Sequence, residues 1–348
     1  MILPSPTRGG ARWFAAVLLC AANQACVSPP ESADPSATAP GVELQGHRGV
    51  RGLAPENTLA AFDLALTLGV NTLELDTVLT QDNVVVISHD PTLNPNITRD
   101  AGGAYLDRPG PPIRELPLAE LQRYDVGRLR PGTRYALSHP EQQAHDGERI
   151  PTLGQLFERV KARGAHAVRF NIETKISPLR PELTPEPEAF VRAVLDVARV
   201  HGMAERFSLQ SFDWRTLAVA QRIAPAVPTV YLSSEQDWGN NVADPRWTGG
   251  MTLAEHGSVP RMVKAAGGKI WSPYHGDLTA DRLQEAHALG LKVVVWTVNQ
   301  TQDIDAMLAL GVDGIISDRP DRVRAALLVR GMTLPLAYPR AARTRSTQ

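Results

Sequence analysis

The sequence predicts an α/β protein folded as a TIM-type (β/α)8 barrel with an irregular insertion, and three observations carry that expectation. Short apolar, β-branched runs alternate with amphipathic helical patterns from Val42 onward. A glycine repeatedly separates helix from strand, as in Leu68-Gly69-Val70, Leu289-Gly290-Leu291 and Leu310-Gly311-Val312, where it fits the left-handed position that ends a helix. Titratable residues recur at the ends of the apolar runs. Alternating strands and helices give a parallel sheet, and 348 residues leave room for a barrel of about 250 as one domain.

Residues 1–25 read as a signal peptide: Arg8 and Arg12 precede a continuous apolar run from Trp13 to Ala22. That run falls well short of the ~20 residues that span a bilayer, and no other approaches it, which excludes a multi-pass membrane protein. Residues 26–41 form a linker rich in Pro, Ser and Ala. Cys20 and Cys26 are the only cysteines, so a disulfide scaffold is excluded. Cys26 followed by such a tract resembles the lipid-modified cysteine of a bacterial lipoprotein, although Asn23 and Gln24 depart from that signal; plain cleavage after Ala25 or Ala22 is the alternative. The protein is expected in the periplasm or secreted, with a membrane tether through Cys26 if the cysteine carries lipid.

The barrel is expected over residues 42–330, with a C-terminal tail at 331–348. Nine strand candidates compete for eight places: Val42 to Gly46, Thr72 to Leu75, Val84 to Ser88, Ala167 to Ile172, Phe207 to Leu209, Thr229 to Leu232, Lys269 to Trp271, Lys292 to Trp296 and Gly314 to Ser317. Helical patterns lie at Thr58 to Leu68, Leu153 to Ala162, Glu186 to Val200, Leu278 to Leu289 and Thr301 to Leu310. The interval from Asp76 to Val84 is too short for a crossover helix, so the barrel is irregular there. Residues 91–150, rich in Pro, Gly and Arg with one plausible helix at Leu118 to Tyr124, read as an insertion over the barrel mouth.

Barrel enzymes assemble their sites at the C-terminal ends of the strands. That rim collects His47-Arg48, Glu74 and Asp76, His89-Asp90, and Glu173 with Lys175. Glu74 and Asp76, two apart on a strand, point the same way. With Glu173 they make three oxygen donors without a cysteine, a set suited to a hard cation such as Mg2+ or Ca2+; ion pairing with Arg48 and Lys175 is the competing use. His47 and His89 suit proton transfer on opposite sides of a reacting centre. Arg48 and Lys175 offer fixed positive charge to an anionic substrate or balance the acids, and spacing does not separate these roles. A net charge of -1, from 36 Lys and Arg against 37 Asp and Glu, without a long basic run, points away from nucleic acid and toward a small-molecule partner.

Taken in order, Gly46-His47-Arg48-Gly49, Pro55-Glu56-Asn57-Thr58, Glu74-Leu75-Asp76, Ser88-His89-Asp90-Pro91, Ile172-Glu173-Thr174-Lys175, Trp296-Thr297-Val298-Asn299 and Asp313-Gly314-Ile315-Ile316-Ser317-Asp318 closely resemble the glycerophosphodiester phosphodiesterase family, barrel enzymes related to phosphatidylinositol-specific phospholipase C. The similarity runs from about Gly46 to Pro320. It implies a metal-dependent hydrolase that cleaves glycerophosphodiesters to sn-glycerol 3-phosphate and an alcohol, using one divalent cation, Ca2+ or Mg2+. By motif His47 and His89 are its acid/base pair and Glu74, Asp76 and Glu173 its metal ligands. Arg48 would contact the phosphate, Lys175 would help hold phosphate or the metal ligands, and Trp296 would wall the glycerol or else fill the barrel. Glu56 would serve the metal site or orient a catalytic group, or else be the acidic first turn of a helix starting at Asn57 or Thr58. The nucleophile is water or the glycerol 2-hydroxyl. Two alternatives stand beside this: a lysophospholipase D-like activity on lysophospholipids, which a broad apolar entrance would favour, and a non-catalytic lipoprotein that binds polyol phosphates, against which the full set of acids and histidines speaks. The resemblance implies no protein partner.

Overall fold

A computed structural model describes residues 41–339. The signal-like run, Cys26 and nearly all of the linker lie outside these residues. Eleven strands occur among them: β1 (Glu43–Gly46), β2 (Thr72–Leu79), β3 (Val85–Ile87), β4 (Arg169–Thr174), β5 (Phe207–Ser211), β6 (Thr229–Ser233), β7 (Glu235–Gln236), β8 (Gly239–Asn240), β9 (Ile270–Pro273), β10 (Lys292–Val295) and β11 (Gly314–Ser317). Eight of them pair in parallel around a closed circuit, β1-β2-β4-β5-β6-β9-β10-β11, which the β11–β1 pairing completes. This is a (β/α)8 barrel.

The ninth candidate is where the strand expectation needs correction. Val85–Ile87 is a strand, but it runs antiparallel to β2 through Thr77↔Ile87 and Leu79↔Val85 and takes no place in the barrel. The short interval after Asp76 permits only a hairpin, and β2 is long enough, at eight residues, to carry the extra pairing beyond the barrel rim. The crossover from β2 to β4 is completed much later, by the helix Leu153–Ala162.

The helices follow the expected chemistry. Leu59–Leu68 is capped by the Thr58 hydroxyl, which accepts from the Ala61 amide. Leu153–Ala162 opens with a Thr152–Gln155 capping box. Pro187–Val200 buries Phe190, Val191, Val194 and Ala198, spaced three and four apart, against the barrel. Ala280–Ala288 and Thr301–Leu310 form where helical patterns are expected, and three further helices, Trp214–Ile223, Val259–Ala265 and Pro320–Val329, complete the alternation. Asp213 and Ser258 cap the first two, and Pro320 occupies the first turn of the third.

The insertion carries a small core of its own: Leu93, Ile113, Leu116, Leu121, Val126 and Ile150 pack on Val78 and Val86 of the β2–β3 hairpin. Its expected helix is shorter than predicted, Leu118–Leu121, and a second short one forms at Arg134–Leu137. The expected tail is docked as far as the described residues run: Met332, Leu334 and Tyr338 pack on the main core, and the Tyr338 amide donates to the Leu66 carbonyl.

The turn after β1 is tight. Gly49 has φ +82°, and a Cβ there would lie 2.8 Å from backbone and side-chain carbon of Ala61. Gly49→Ala should therefore combine left-handed backbone strain with overpacking, roughly 2–4 kcal/mol together. Differential scanning calorimetry should show a clearly lowered unfolding midpoint; a midpoint equal to the parent's would mean that the turn is not constrained in this way.

Candidate active site

The barrel's parallel register builds the site. Asp76 on β2 stands beside Glu173 on β4, and Glu173 beside Gln210 on β5. Glu74, two residues before Asp76, lies on the same inner face. These three acids are all buried, and one carboxylate oxygen from each lies within 4.8 Å of the others. Three hard oxygen donors at that separation fit a divalent cation, and burying them together otherwise leaves excess negative charge. The electrostatics report the same imbalance. Burial and the neighbouring Asp76 charge push Glu74 well above the ordinary carboxylate range, and burial pushes Glu173 upward too. Burial opposes ionisation of Asp76 as well, but the Arg48 guanidinium, with His89 and Lys175, holds it below its ordinary value.

Each acid also has a fixed partner. Glu74 accepts from the Arg48 amide at 2.9 Å and from the Gln210 side chain at 2.5 Å. Asp76 accepts from Asn57 at 2.9 Å and lies 3.1 Å from the Arg48 Nε. The Lys175 ammonium stands 2.9 Å from Glu173 and 3.8 Å from Asp76. Beneath them, Asn171 bridges Gln45 and Gln210 at 2.9 Å each, a buried amide layer that fixes Gln210 under Glu74. Arg48 and Asn57 both adopt positive φ, 49° and 57°, and the Asn57 amide donates to the Arg48 carbonyl. Two non-glycine residues in that region, pinned to each other, mark a strained turn held by the site around it.

Glu56 precedes the helix cap and lies outside the first turn, so the helix-start reading is overturned. It is buried, accepts from Arg48 Nη1 at 2.7 Å, and takes a hydrogen bond from the Tyr135 hydroxyl of the insertion. It therefore orients Arg48 and leaves that guanidinium largely committed to carboxylates.

His47 follows β1 and is oriented from the other end of the chain. Its Nδ1 lies 2.6 Å from Asp318, just after β11, and its Nε2 faces Glu74 at 3.9 Å. Asp318 is fixed in turn by Arg51 through two bonds of 2.8 and 3.0 Å and by Asn299 at 2.7 Å. A carboxylate so engaged assigns the proton of neutral His47 to Nδ1 and leaves the Nε2 lone pair toward the acids. Burial pulls the His47 pKa down to about 4, against the opposing charge of Asp318. His89, one-third exposed, has its Nδ1 2.9 Å from Asp90. Its pKa is lowered by burial and by the charges of Arg48 and Lys175.

These groups meet in a cavity of about 280 Å³ lined by His47, Arg48, Glu74, His89, Glu173, Lys175 and Trp296. Asp76 stands in the acid cluster at its edge, and Glu56 lies behind Arg48. Trp296 is half-buried with its Nε1 on the Ser272 carbonyl and its ring edge-on to Phe212, 5.3 Å between centroids, so it walls the cavity and does not fill the barrel. Arg51, Gln210, Phe212 and Trp238 also line the cavity. Sequence reasoning missed these four, together with Asp318 and Asn57. Gln210 carried a signal: Ser208 and Gln210 alternate with Phe207 and Leu209, the same inward alternation that exposed Glu74 and Asp76.

Comparison with known proteins agrees with this geometry. A family model described as the glycerophosphoryl diester phosphodiesterase family matches residues 47–322. A glycerophosphodiester phosphodiesterase of Caldanaerobacter subterraneus subsp. tengcongensis is 27% identical, covering 79% of this chain and 93% of that protein. A crystal structure from Silicibacter pomeroyi DSS-3, of a protein assigned to the same enzymes, is 37% identical with a TM-score of 0.77, over 85% of this chain and 96% of its own. An Oleispira antarctica phosphodiesterase solved with the product sn-glycerol-3-phosphate shares the fold at 24% identity and a TM-score of 0.61, over 82% of this chain and 97% of its own.

The environment of His47 sets a measurable titration in the metal-free protein. Folded His47 should stay neutral until the pH approaches about 4, whereas an unfolded histidine protonates near 6.5. Between those values the unfolded chain binds more protons, so this group's contribution to stability, complete above about pH 6.5, is lost as the pH falls toward 4. Nitrogen-15 NMR of the imidazole should follow this; a His47 midpoint near 6.5 would contradict it.

Proposed function

The chain belongs to the glycerophosphoryl diester phosphodiesterase family and is an enzyme of that class, and on that premise we propose that its barrel mouth hydrolyses glycerophosphodiesters to sn-glycerol 3-phosphate and an alcohol with one divalent cation, Mg2+ or Ca2+. The observation that carries the proposal is a cluster of three buried carboxylates, two of which line one cavity of about 280 Å³ with two histidines and a lysine. The Oleispira antarctica relative, whose structure holds sn-glycerol-3-phosphate as product, supports the substrate class.

Glu74, Asp76 and Glu173 would hold the cation, which supplies Lewis-acid stabilisation of charge on the phosphoryl oxygens. Lys175, between Glu173 and the cavity, binds the anionic phosphate, and Arg48 adds its charge from beneath while Glu56 and Asp76 fix its plane. His47, neutral and held at Nδ1 by Asp318, accepts a proton at Nε2 from the nucleophile, water or the glycerol 2-hydroxyl. His89, oriented by Asp90, returns a proton to the leaving alcohol. Arrival of a phosphate between Arg48 and Lys175 offsets the two charges that depress His89, which favours its protonated form in the complex. Trp296 offers the glycerol carbons an apolar wall.

Chelation should abolish turnover of glycerophosphocholine, and Mg2+ or Ca2+ should restore it. A panel that includes lysophospholipids separates this activity from the lysophospholipase D-like alternative. His47→Ala and His89→Ala should each lower kcat by ~100- to 10,000-fold with KM close to the parent's. Arg48→Ala should raise KM as well, because phosphate charge is present in ground and transition states alike. Full activity under chelation, or a His variant retaining most of its kcat, would sink the assignment.

We also infer export, because the signal-like run and the Pro-rich linker precede the first strand. Fractionation should find the mature protein in the periplasm, secreted or at a membrane, and mass spectrometry should read whether Cys26 carries lipid. A cytosolic product that retains residues 1–25 would contradict export.

A further inference from the structure

A second cleft, of about 490 Å³, opens beside the catalytic cavity and shares Glu173, Lys175 and Phe212 with it. Its walls come from elements outside the barrel. Pro91 and Pro109 of the insertion, Ile176 and Leu183 of the segment after β4, Phe212 and Trp247 make the apolar part of its lining, and Thr92, Ser177, Arg180 and Thr184 add polar groups to it. Phe212 and Trp247 also line a third cleft of about 380 Å³, whose rim carries Leu179 and Trp238, 46% and 63% exposed. An apolar path thus runs from Lys175 outward, and Phe212 belongs to all three cavities.

The position of this path relates it to one arm of the substrate. Trp296 and His47 line the catalytic cavity but not the cleft, whereas Pro91 and Thr92 directly follow His89-Asp90 and form its near wall. A phosphate beside Lys175, with its glycerol against Trp296, directs its other ester arm past His89 toward Pro91 and Phe212. We propose that this cleft is the subsite for the leaving alcohol and that it selects sn-glycerol 3-phosphate diesters whose alcohol carries a flexible alkyl chain. The inference rests on the phosphodiesterase reading of the site. The bonds exchanged are those of that reaction: water supplies oxygen to phosphorus, the P–O bond to the alcohol breaks, and the alkyl alcohol leaves with a proton. Against the six apolar residues of the lining, each methylene removed from water strengthens binding by about two- to fourfold.

The test uses the full-length enzyme with its divalent cation and the methyl, butyl and octyl diesters of sn-glycerol 3-phosphate, beside glycerophosphocholine and 1-acyl-glycerophosphocholine. We expect kcat/KM to rise about two- to fourfold per methylene from methyl to butyl and to stay high at octyl. Leu183→Asp should flatten that series while the cooperative unfolding transition stays unchanged; Leu183→Met should keep the preference. A flat series in the parent, with glycerophosphocholine and the methyl diester still hydrolysed, overturns the subsite alone. Preference for 1-acyl-glycerophosphocholine over the octyl diester overturns the placement, because there the chain sits on the glycerol. No turnover of any diester overturns the phosphodiesterase reading and the subsite with it.

Discussion

Burying three carboxylates in the mouth of a barrel is the constraint from which the surrounding structure follows. Two like charges about 4 Å apart repel by about 4 kcal/mol even at an effective dielectric constant near 20, and Glu74, Asp76 and Glu173 form three such pairs within 4.8 Å. Such a cluster persists only if cations and hydrogen-bond donors converge on it. Arg48 and Lys175 supply the charge, and Asn57 and Gln210 supply donors. The unusual backbone of the loops belongs to the same requirement. Arg48 reaches Glu74 with its amide and Asp76 with its side chain from a left-handed conformation, and Asn57 adopts another while it bonds Asp76. Two protein cations against four buried acids, counting Glu56, leave the centre short of positive charge, which is the state a site for a divalent ion requires.

The second pole of the site depends on barrel closure. Asp318, after the last strand, orients His47, after the first, across 271 residues of sequence, and the β1–β11 pairing brings Gly46 beside Ser317. Until that pairing forms, His47 has no orienting carboxylate and Arg51 no bidentate partner. The insertion closes a further loop onto the same centre. Tyr135 bonds Glu56, and Gln142 donates to the Arg51 carbonyl at 2.7 Å, so the turn holding Arg48 and Arg51 is clamped from above. Folding and assembly of the catalytic groups are in this sense one event.

The sequence made the barrel legible because its helices and strands alternate with clear punctuation, and it made the acids legible because strand geometry forces residues two apart onto one face. It left open which of the nine strand candidates lies outside the barrel, because an apolar β-branched run such as Val84 to Ser88 carries no sign of its direction; the short interval after Asp76 and the length of β2 beyond the rim make it a hairpin. Asp318 stands within a motif, but nothing local distinguishes a carboxylate that orients a distant histidine from one that caps the next helix. Arg51 and Tyr135 were invisible for the same reason: both act across the fold, and an exposed-looking Arg or an aromatic in an irregular insertion has no periodicity to betray it. Trp238 and Phe212 lie on loops, where side-chain direction is not set by any repeat.

This division of labour separates chemistry from choice. Most groups proposed for bond breaking stand on or beside β1, β2, β4 and β11, whose register is fixed by main-chain bonding around a closed circuit, and His89 follows β3, which is pinned to β2 as a hairpin. The groups that would meet the alcohol arm come from the insertion and from the segments after β4, β5 and β8, outside that circuit. A substitution at Leu183 or Pro109 alters the shape of the outer cleft while the distances among Glu74, Asp76 and Glu173 stay as the strands set them. Glu173, Lys175 and Phe212 belong to both regions, Lys175 with its ammonium 5.8 Å from the Phe212 ring centre. Change at that contact would be felt in rate and selectivity together, because it is where the rigid sheet hands the substrate to the variable loops.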